Sequence, residues 1–285
     1  MVLAALIFAT MGVCVKLASA WFTSAELVFY RGIIGVVFLG LLARSRGVSL
    51  RTAYPGMHAW RSLIGVTSLG AWFYAIAKLP LATSMTLNYM SSVWIAAFLV
   101  GGALLAWMPV PGRDPRTQRP PLQGPLVLTV LAGFGGVVLM LRPTLGHNQG
   151  FAALVGLMSG LTAAFAYMQV MALSRIGEPE TRTVFYFALG GAVAGGFATV
   201  LTGFSDWNWQ HALWLLPVGV LASLGQLCMT RAYSTAKTES GTLLVANLQY
   251  SGIVFAAIYS VVLFGDRIDA MGWAGMALIV ASGIA

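Results

Sequence analysis

The 285 residues are 59% hydrophobic and 8% charged, with a formal net charge of +8, whereas soluble domains carry roughly 25% charged residues. Such a chain cannot clothe itself in a water-facing surface. Crossing a hydrocarbon layer about 30 Å thick takes about 20 apolar helical residues, so ten crossings use nearly the whole length and leave no soluble domain. The basic residues stand in connectors between apolar runs; they are not clustered on one face, which excludes a nucleic-acid partner and makes the charge a topology signal.

Uncharged apolar runs between charged or Pro/Gly connectors predict spans near 2–19, 25–43, 59–77, 83–107, 124–141, 150–173, 183–203, 212–233, 241–264 and 269–285. Continuous apolarity over about 18 residues marks helices, since lipid-facing strands alternate over about ten. The first run ends in Ala18-Ser19-Ala20, like a signal-peptidase site, but it lacks a basic leader and carries Lys16 late, so it reads as a retained helix. Connectors after spans two, four, six and eight hold Arg44, Arg46, Arg51, Arg113, Arg116, Arg119, Arg175, Arg182 and Lys237; those after odd spans hold only Lys78, Arg142 and Arg267. Cytoplasmic connectors carry the excess of Lys and Arg, so both termini are expected to be cytoplasmic and the chain to lie in an inner (plasma) membrane.

The two halves echo each other. Val28-Phe29-Tyr30 recurs as Val184-Phe185-Tyr186, Ser68-Leu69-Gly70 as Ser223-Leu224-Gly225, and Val93 to Ala97 as Ile253 to Ala257, at offsets of 156, 155 and 160. Three matches in one order at nearly one offset predict a duplicated five-helix unit, residues 1–143 and 146–285. An odd number of crossings inverts the second copy, as in many secondary transporters. The expected fold is therefore an all-α membrane bundle of ten helices in two inverted repeats around a central cavity.

No phosphate loop, H-E-x-x-H or G-x-S-x-G signature is present, so neither an enzyme nor a primary pump is expected, and neither is a metal or a cofactor. Cys14 and Cys228 lie far apart within apolar runs and read as packing residues. His58, His147 and His211 fall at span ends, where a solvated or interfacial role is expected. A polar stripe runs along span four at Asn88, Ser91 and Ser92 and recurs in span nine at Asn247, Tyr250 and Ser251. Inverted symmetry would bring both stripes to a midplane cavity, the bland alternative being interhelical hydrogen bonds. Trp72, Tyr74, Tyr89, Trp94 and Tyr167, with the amides Gln169, Gln226 and Gln249, would supply apolar walls and polar anchors. Lys16, Arg31 and Arg231 are drawn into spans, close enough to their ends to snorkel. Lys16 and Arg31 are candidates for a substrate carboxylate or the cavity mouth. No Asp or Glu stands in the middle of a span, which points to transport without proton coupling.

Val28-Phe29-Tyr30-Arg31, the run from Ser92 to Trp107, and Ile253 to Gly265-Asp266 resemble elements of the drug/metabolite transporter superfamily, in particular its ten-helix EamA-type members. The resemblance spans essentially the whole chain, with Val93 and Ile253 standing where the family commonly has proline and Asp266 where it has Glu. It implies a basket-shaped bundle opening alternately to either side, and within the superfamily the chain looks most like exporters of amino acids, aromatic ones included, and metabolites. The expected partners are a small solute and the bilayer, and the sequence leaves the oligomeric state open. Another metabolite or drug class is the alternative; a scaffold or sensor is disfavoured because no output domain fits.

Overall fold

In the computed structural model the described residues are 1–95, 97–98, 149–236, 241, 244–245 and 248–284, with isolated positions between 128 and 139. Nine helices are bounded among them: α1 Val2–Ala18, α2 Ser24–Ser45, α3 Pro55–Lys78, α4 Leu81–Tyr89, α5 Gly150–Arg175, α6 Glu180–Thr202, α7 Leu215–Thr235, α8 Ser251–Phe264 and α9 Ala270–Ile284. A short helical turn, Trp209–Ala212, precedes α7. No strand occurs among the described residues. Most of span five (124–141) and the second half of span four lie outside them, as does Asn247.

Local chemistry sets the helix ends. α2 begins with a capping box: Thr23 Oγ1 accepts from the Glu26 amide at 3.3 Å and Glu26 Oε2 accepts from the Thr23 amide at 2.7 Å. Pro55 opens α3 where an amide proton would be unused, and Gly265 closes α8 with φ +63°. Ser24–Ser45, Gly150–Arg175, Glu180–Thr202 and Trp209–Thr235 are long and apolar enough to cross a membrane, and Val37, Leu41, Leu63, Phe151, Phe197, Val200 and Val262 lie exposed along the outside, as lipid-facing residues do.

Small residues bring the helices together. A Cβ at Gly32 of α2 would fall 2.3 Å from the Ala192 amide nitrogen of α6, and one at Gly195 of α6 would fall 2.6 Å from the Phe29 amide nitrogen, so these backbones touch directly. The principal neighbours are α2 with α6, α3 with α5, α1 with α7, α2 with α7, α3 with α6, α1 with α8, α4 with α5 and α4 with α8. One buried cluster fills the space between them, with Phe73, Ile76, Met85, Tyr89, Tyr250 and Ile279 among its members.

Candidate functional site

Two helices are interrupted at the heart of the bundle. α4 stops at Tyr89, Met90 forms a turn, and helical residues resume at 91–95; likewise Gln249 and Tyr250 form a turn immediately before α8. At the second break the Gly252 and Ile253 amides reach back three residues to the carbonyls of Gln249 and Tyr250, both at 3.0 Å, tightening the chain into a 3₁₀-like turn. The breaks face each other: a Cβ at Gly252 would lie 2.5 Å from the Tyr89 ring, and Tyr250 is hydrogen-bonded to Ser92. Ser92 of one stripe and Tyr250 of the other are therefore in contact.

Beside this crossing lies a narrow cavity lined by Phe8 of α1, Arg61, Ser68 and Trp72 of α3, Asn88 and Tyr89 of α4, Tyr167 of α5, Phe187 of α6 and Gln226 of α7. Asn88 Nδ2 donates to Ser159 Oγ at 3.1 Å, and Ser159 Oγ donates to the Gly156 carbonyl at 2.6 Å. Gly160 lets α5 approach the broken helix, since a Cβ there would sit 2.5 Å from the Leu87 carbonyl oxygen. Gln249 closes one wall: its Nε2 donates to the Tyr167 hydroxyl at 3.2 Å, and its Oε1 accepts from the Tyr233 hydroxyl at 3.4 Å. Among the described residues, the Tyr89 hydroxyl and Trp72 Nε1 are buried without a hydrogen-bond partner.

Arg31 and Arg61 dominate the electrostatics. They are 4% and 3% exposed, so neither snorkels out of its helix. Both lie on the Phe187 ring, Arg31 Cζ 4.9 Å and Arg61 Cζ 4.2 Å from its centroid, and a desolvated cation gains from the face of an aromatic ring. Among the described residues the only ion pairs are those of Glu178, with His58 and Arg182, so neither guanidinium is matched by a carboxylate there.

Polar contacts also mark the two ends of α3. At its start, Glu178 in the α5–α6 connector accepts from Thr52 Oγ1 at 2.9 Å and Arg182 Nη1 at 3.1 Å, and lies 3.2 Å from His58 Nε2. Arg182 Nε donates to the Ser49 carbonyl at 2.8 Å, and the Tyr186 hydroxyl donates to the Leu50 carbonyl at 2.9 Å. Burial pushes the Glu178 carboxyl up, but the bonds from Thr52, His58 and Arg182 and the charge of Arg182 outweigh it and leave the carboxyl below its ordinary range. At the other end of α3, Lys16 Nζ donates to the carbonyls of Leu79 at 2.6 Å and Ile76 at 3.4 Å, a basic group on the last carbonyls of a helix.

Of the residues expected at a cavity, Trp72, Asn88, Tyr89, Tyr167 and Gln226 line it, while Ser92 and Tyr250 bridge the crossing beside it. Ser91 is fully buried, and its hydroxyl has no partner among the described residues. Ser251 donates instead to the Leu248 carbonyl at 2.7 Å. Tyr74 packs edge-on against the exposed Phe151, Trp94 stacks on Phe98, and Gln169 stays half-buried off the lining. Lys16 serves helix carbonyls and is not part of the lining. His58, expected in a solvated or interfacial role, is 2% exposed and held by Glu178. Arg61 and Phe187 were not singled out by the sequence. The one trace of Arg61 is the pair Arg61 and Gly65, one helical turn apart, the glycine leaving the room that the guanidinium fills.

The EamA-like transporter family matches residues 150–284. A pseudopaline exporter of Pseudomonas aeruginosa is 36% identical over 288 residues, covering 100% of this chain and 93% of that protein. A riboflavin transporter of Rhizobium johnstonii is 28% identical over 243 residues, covering 83% of this chain and 74% of the other. A solved crystal structure superposes with a TM-score of 0.66 at 20% identity, over 99% of this chain and 92% of that one, a likeness of fold alone. With its buried polar cavity among apolar helices and its full-length similarity to named transporters, the chain belongs to the EamA-like transporter family of the drug/metabolite transporter superfamily, a membrane protein whose role is transport and not catalysis.

Proposed function

We propose that this protein is a secondary exporter of the inner membrane that passes amino acids, aromatic and neutral ones among them, and related metabolites, by alternating access and without ion coupling. The observation that carries the reading is the cavity itself. Trp72, Tyr89 and Tyr167 provide its aromatic walls, Asn88 and Gln226 its amides and Arg61 its cation, all gathered beside two broken helices. Discontinuous helices of this kind form solute sites at the midplane of inverted-repeat carriers. An amino-acid carboxylate suits the guanidinium and an apolar side chain suits the rings. The named role of the Pseudomonas relative, export of pseudopaline, supports outward movement of a metabolite.

The architecture we propose is ten spans in two inverted repeats, residues 1–143 and 146–285, with both termini cytoplasmic. Helix packing supports it: exchanging the two halves turns the α1–α7 contact into the α3–α5 contact, α2–α7 into α3–α6, and α1–α8 into α4–α5, and it leaves α2–α6 and α4–α8 as themselves. The contacts around Glu178 and around Lys16 lie at opposite ends of α3.

The test is reconstitution of the purified protein in liposomes with labelled phenylalanine and tryptophan, with a panel of metabolites that are not amino acids, and separately with pseudopaline, with no ion gradient imposed. Saturable equilibration of the amino-acid class is expected. Flux confined to the unrelated metabolites would overturn the substrate class, and accumulation driven by an imposed pH difference would overturn uncoupled transport.

A further inference from the structure

We infer that the cargo of this cavity carries at least two carboxylates, one taken by Arg61 on the lining and the other by Arg31, which stands off the lining but shares the Phe187 ring; this rests on the reading of the cavity as the solute path. Arg31 stands two turns into α2 and Arg61 two turns into α3, and α6 delivers Phe187 to both. The two cationic carbons lie 4.9 and 4.2 Å from one ring centroid, so they are separated by no more than the sum of those distances. Stacking on a ring occupies the face of a guanidinium and leaves its N–H edge available. Among the described residues, Nε of Arg31, and Nε and Nη1 of Arg61, are buried with no hydrogen-bond partner.

Two like charges withdrawn from water beside one ring are costly unless something neutralises them, and no carboxylate among the described residues does so. A substrate bearing one carboxylate and one ammonium would satisfy one guanidinium while adding a third cation to the group. Two carboxylates match both, each by the paired N–H bonds that a guanidinium edge makes with a planar carboxylate. The remaining unpartnered groups on the lining, the Tyr89 hydroxyl and Trp72 Nε1, are able to donate further hydrogen bonds to the same ligand. The rings of Trp72, Tyr167 and Phe187 accept its apolar portion. The chemistry that fits is thus a small di- or tricarboxylate with a hydrophobic stem, such as an amino acid extended by a second acid.

N-succinylphenylalanine, with two carboxylates, and phenylalanine, with one, are the probes. Binding to the purified full-length protein in detergent is measured by titration calorimetry, and flux is measured in liposomes. The dicarboxylate is expected to bind at least tenfold more tightly, and the preference should collapse in Arg61→Gln and in Arg31→Gln, with Arg61→Lys retaining part of it. Equal binding of the two probes by the unaltered protein overturns the inference whatever the variants do. So does a preference that survives in both monodisperse Gln variants, or equal competition by an alkyl phosphate. Passage of phenylalanine as fast as the dicarboxylate would sink this inference and leave the transport reading standing, whereas passage of neither would sink both.

Discussion

Arg31 Cζ lies 4.9 Å from the centre of the Phe187 ring, and the two residues follow the same tripeptide, Val28-Phe29-Tyr30 in one half and Val184-Phe185-Tyr186 in the other. Where two helices cross at matching places, matching side chains meet. Two arginines would repel there, whereas an arginine and a phenylalanine attract, and Phe187 then receives Arg61 on its ring as well, at 4.2 Å. Phe187→Leu is expected to cost about 2 kcal/mol or more, the worth of a desolvated cation–ring contact. Thermal unfolding in detergent and the half-saturating concentration for flux should both worsen, with Phe187→Tyr close to the parent. A Leu variant as stable and as active as the parent would show that the ring does not carry the charges.

Gly65 holds Arg61 in place by what it lacks. A Cβ there would fall 1.9 Å from Arg61 Nη1 and 2.8 Å from the Phe187 ring. The nearest atom is the tip of a flexible side chain, so Gly65→Ala moves the guanidinium more than it unfolds the bundle. Losing a hydrogen bond to a charged group is worth about 1.5–3 kcal/mol, which corresponds to roughly a tenfold or greater rise in half-saturating concentration. Flux kinetics beside a size-exclusion profile check this; unchanged kinetics in a folded Gly65→Ala protein would remove Arg61 from the solute path.

Much of this was legible in the chain. The predicted span 150–173 is α5, Gly150–Arg175, and the span 25–43 is α2, Ser24–Ser45, because lipid accepts only long apolar helices and so writes them plainly in sequence. The polar stripe of span four reaches the cavity at Asn88, and Trp72, Tyr167 and Gln226 join it there. Arg61 escaped because a basic residue near a span end ordinarily snorkels to water; only the approach of α6, through Phe187, shows that it turns inward. Phe187 escaped because its value lies in the two cations it faces, and an isolated apolar residue in a span carries no sign of that. Lys16 misled in the opposite sense: a cation at depth suggested a solute contact, but the carbonyls at the end of α3 already occupy it.

Glu178 gives the fold a pH dependence of known sign. Its carboxyl is depressed below the ordinary range by bonds from Thr52, His58 and Arg182 that outweigh burial. A depressed acid stabilises the structure at pH values above its unfolded pKa, about 4.3, and that stabilisation disappears as pH falls through the folded value. Glu178→Gln mimics the protonated group. At neutral pH the connector at residues 47–54, held by Glu178 through Thr52 and by Arg182 through the Ser49 carbonyl, is expected to exchange its amide hydrogens faster in the Gln variant than in the parent. The two should converge only once the pH falls below the depressed folded value of the carboxyl. Equal exchange at neutral pH would mean that the carboxylate does not hold the connector.

The crossing of α2 and α6 determines whether Arg31 and Phe187 meet at all, and two of its glycines make opposite predictions. A Cβ at Gly32 would fall 2.3 Å from the Ala192 amide nitrogen and 2.7 Å from its Cα. Those are backbone atoms, which cannot rotate aside, so Gly32→Ala must push the helices apart. Overpacking of this kind costs about 1–3 kcal/mol and sometimes more, and separation of the helices draws Arg31 off the ring. At Gly191 the nearest atom to an added Cβ is the Val28 carbonyl oxygen at 3.8 Å, with Arg31 Nη1 at 3.9 Å, an ordinary contact. Gly191→Ala should therefore leave unfolding temperature and flux near those of the parent, while Gly32→Ala lowers both. If the two variants behaved alike, close backbone packing would not be what sets the crossing, and the meeting of Arg31 with Phe187 would need another cause.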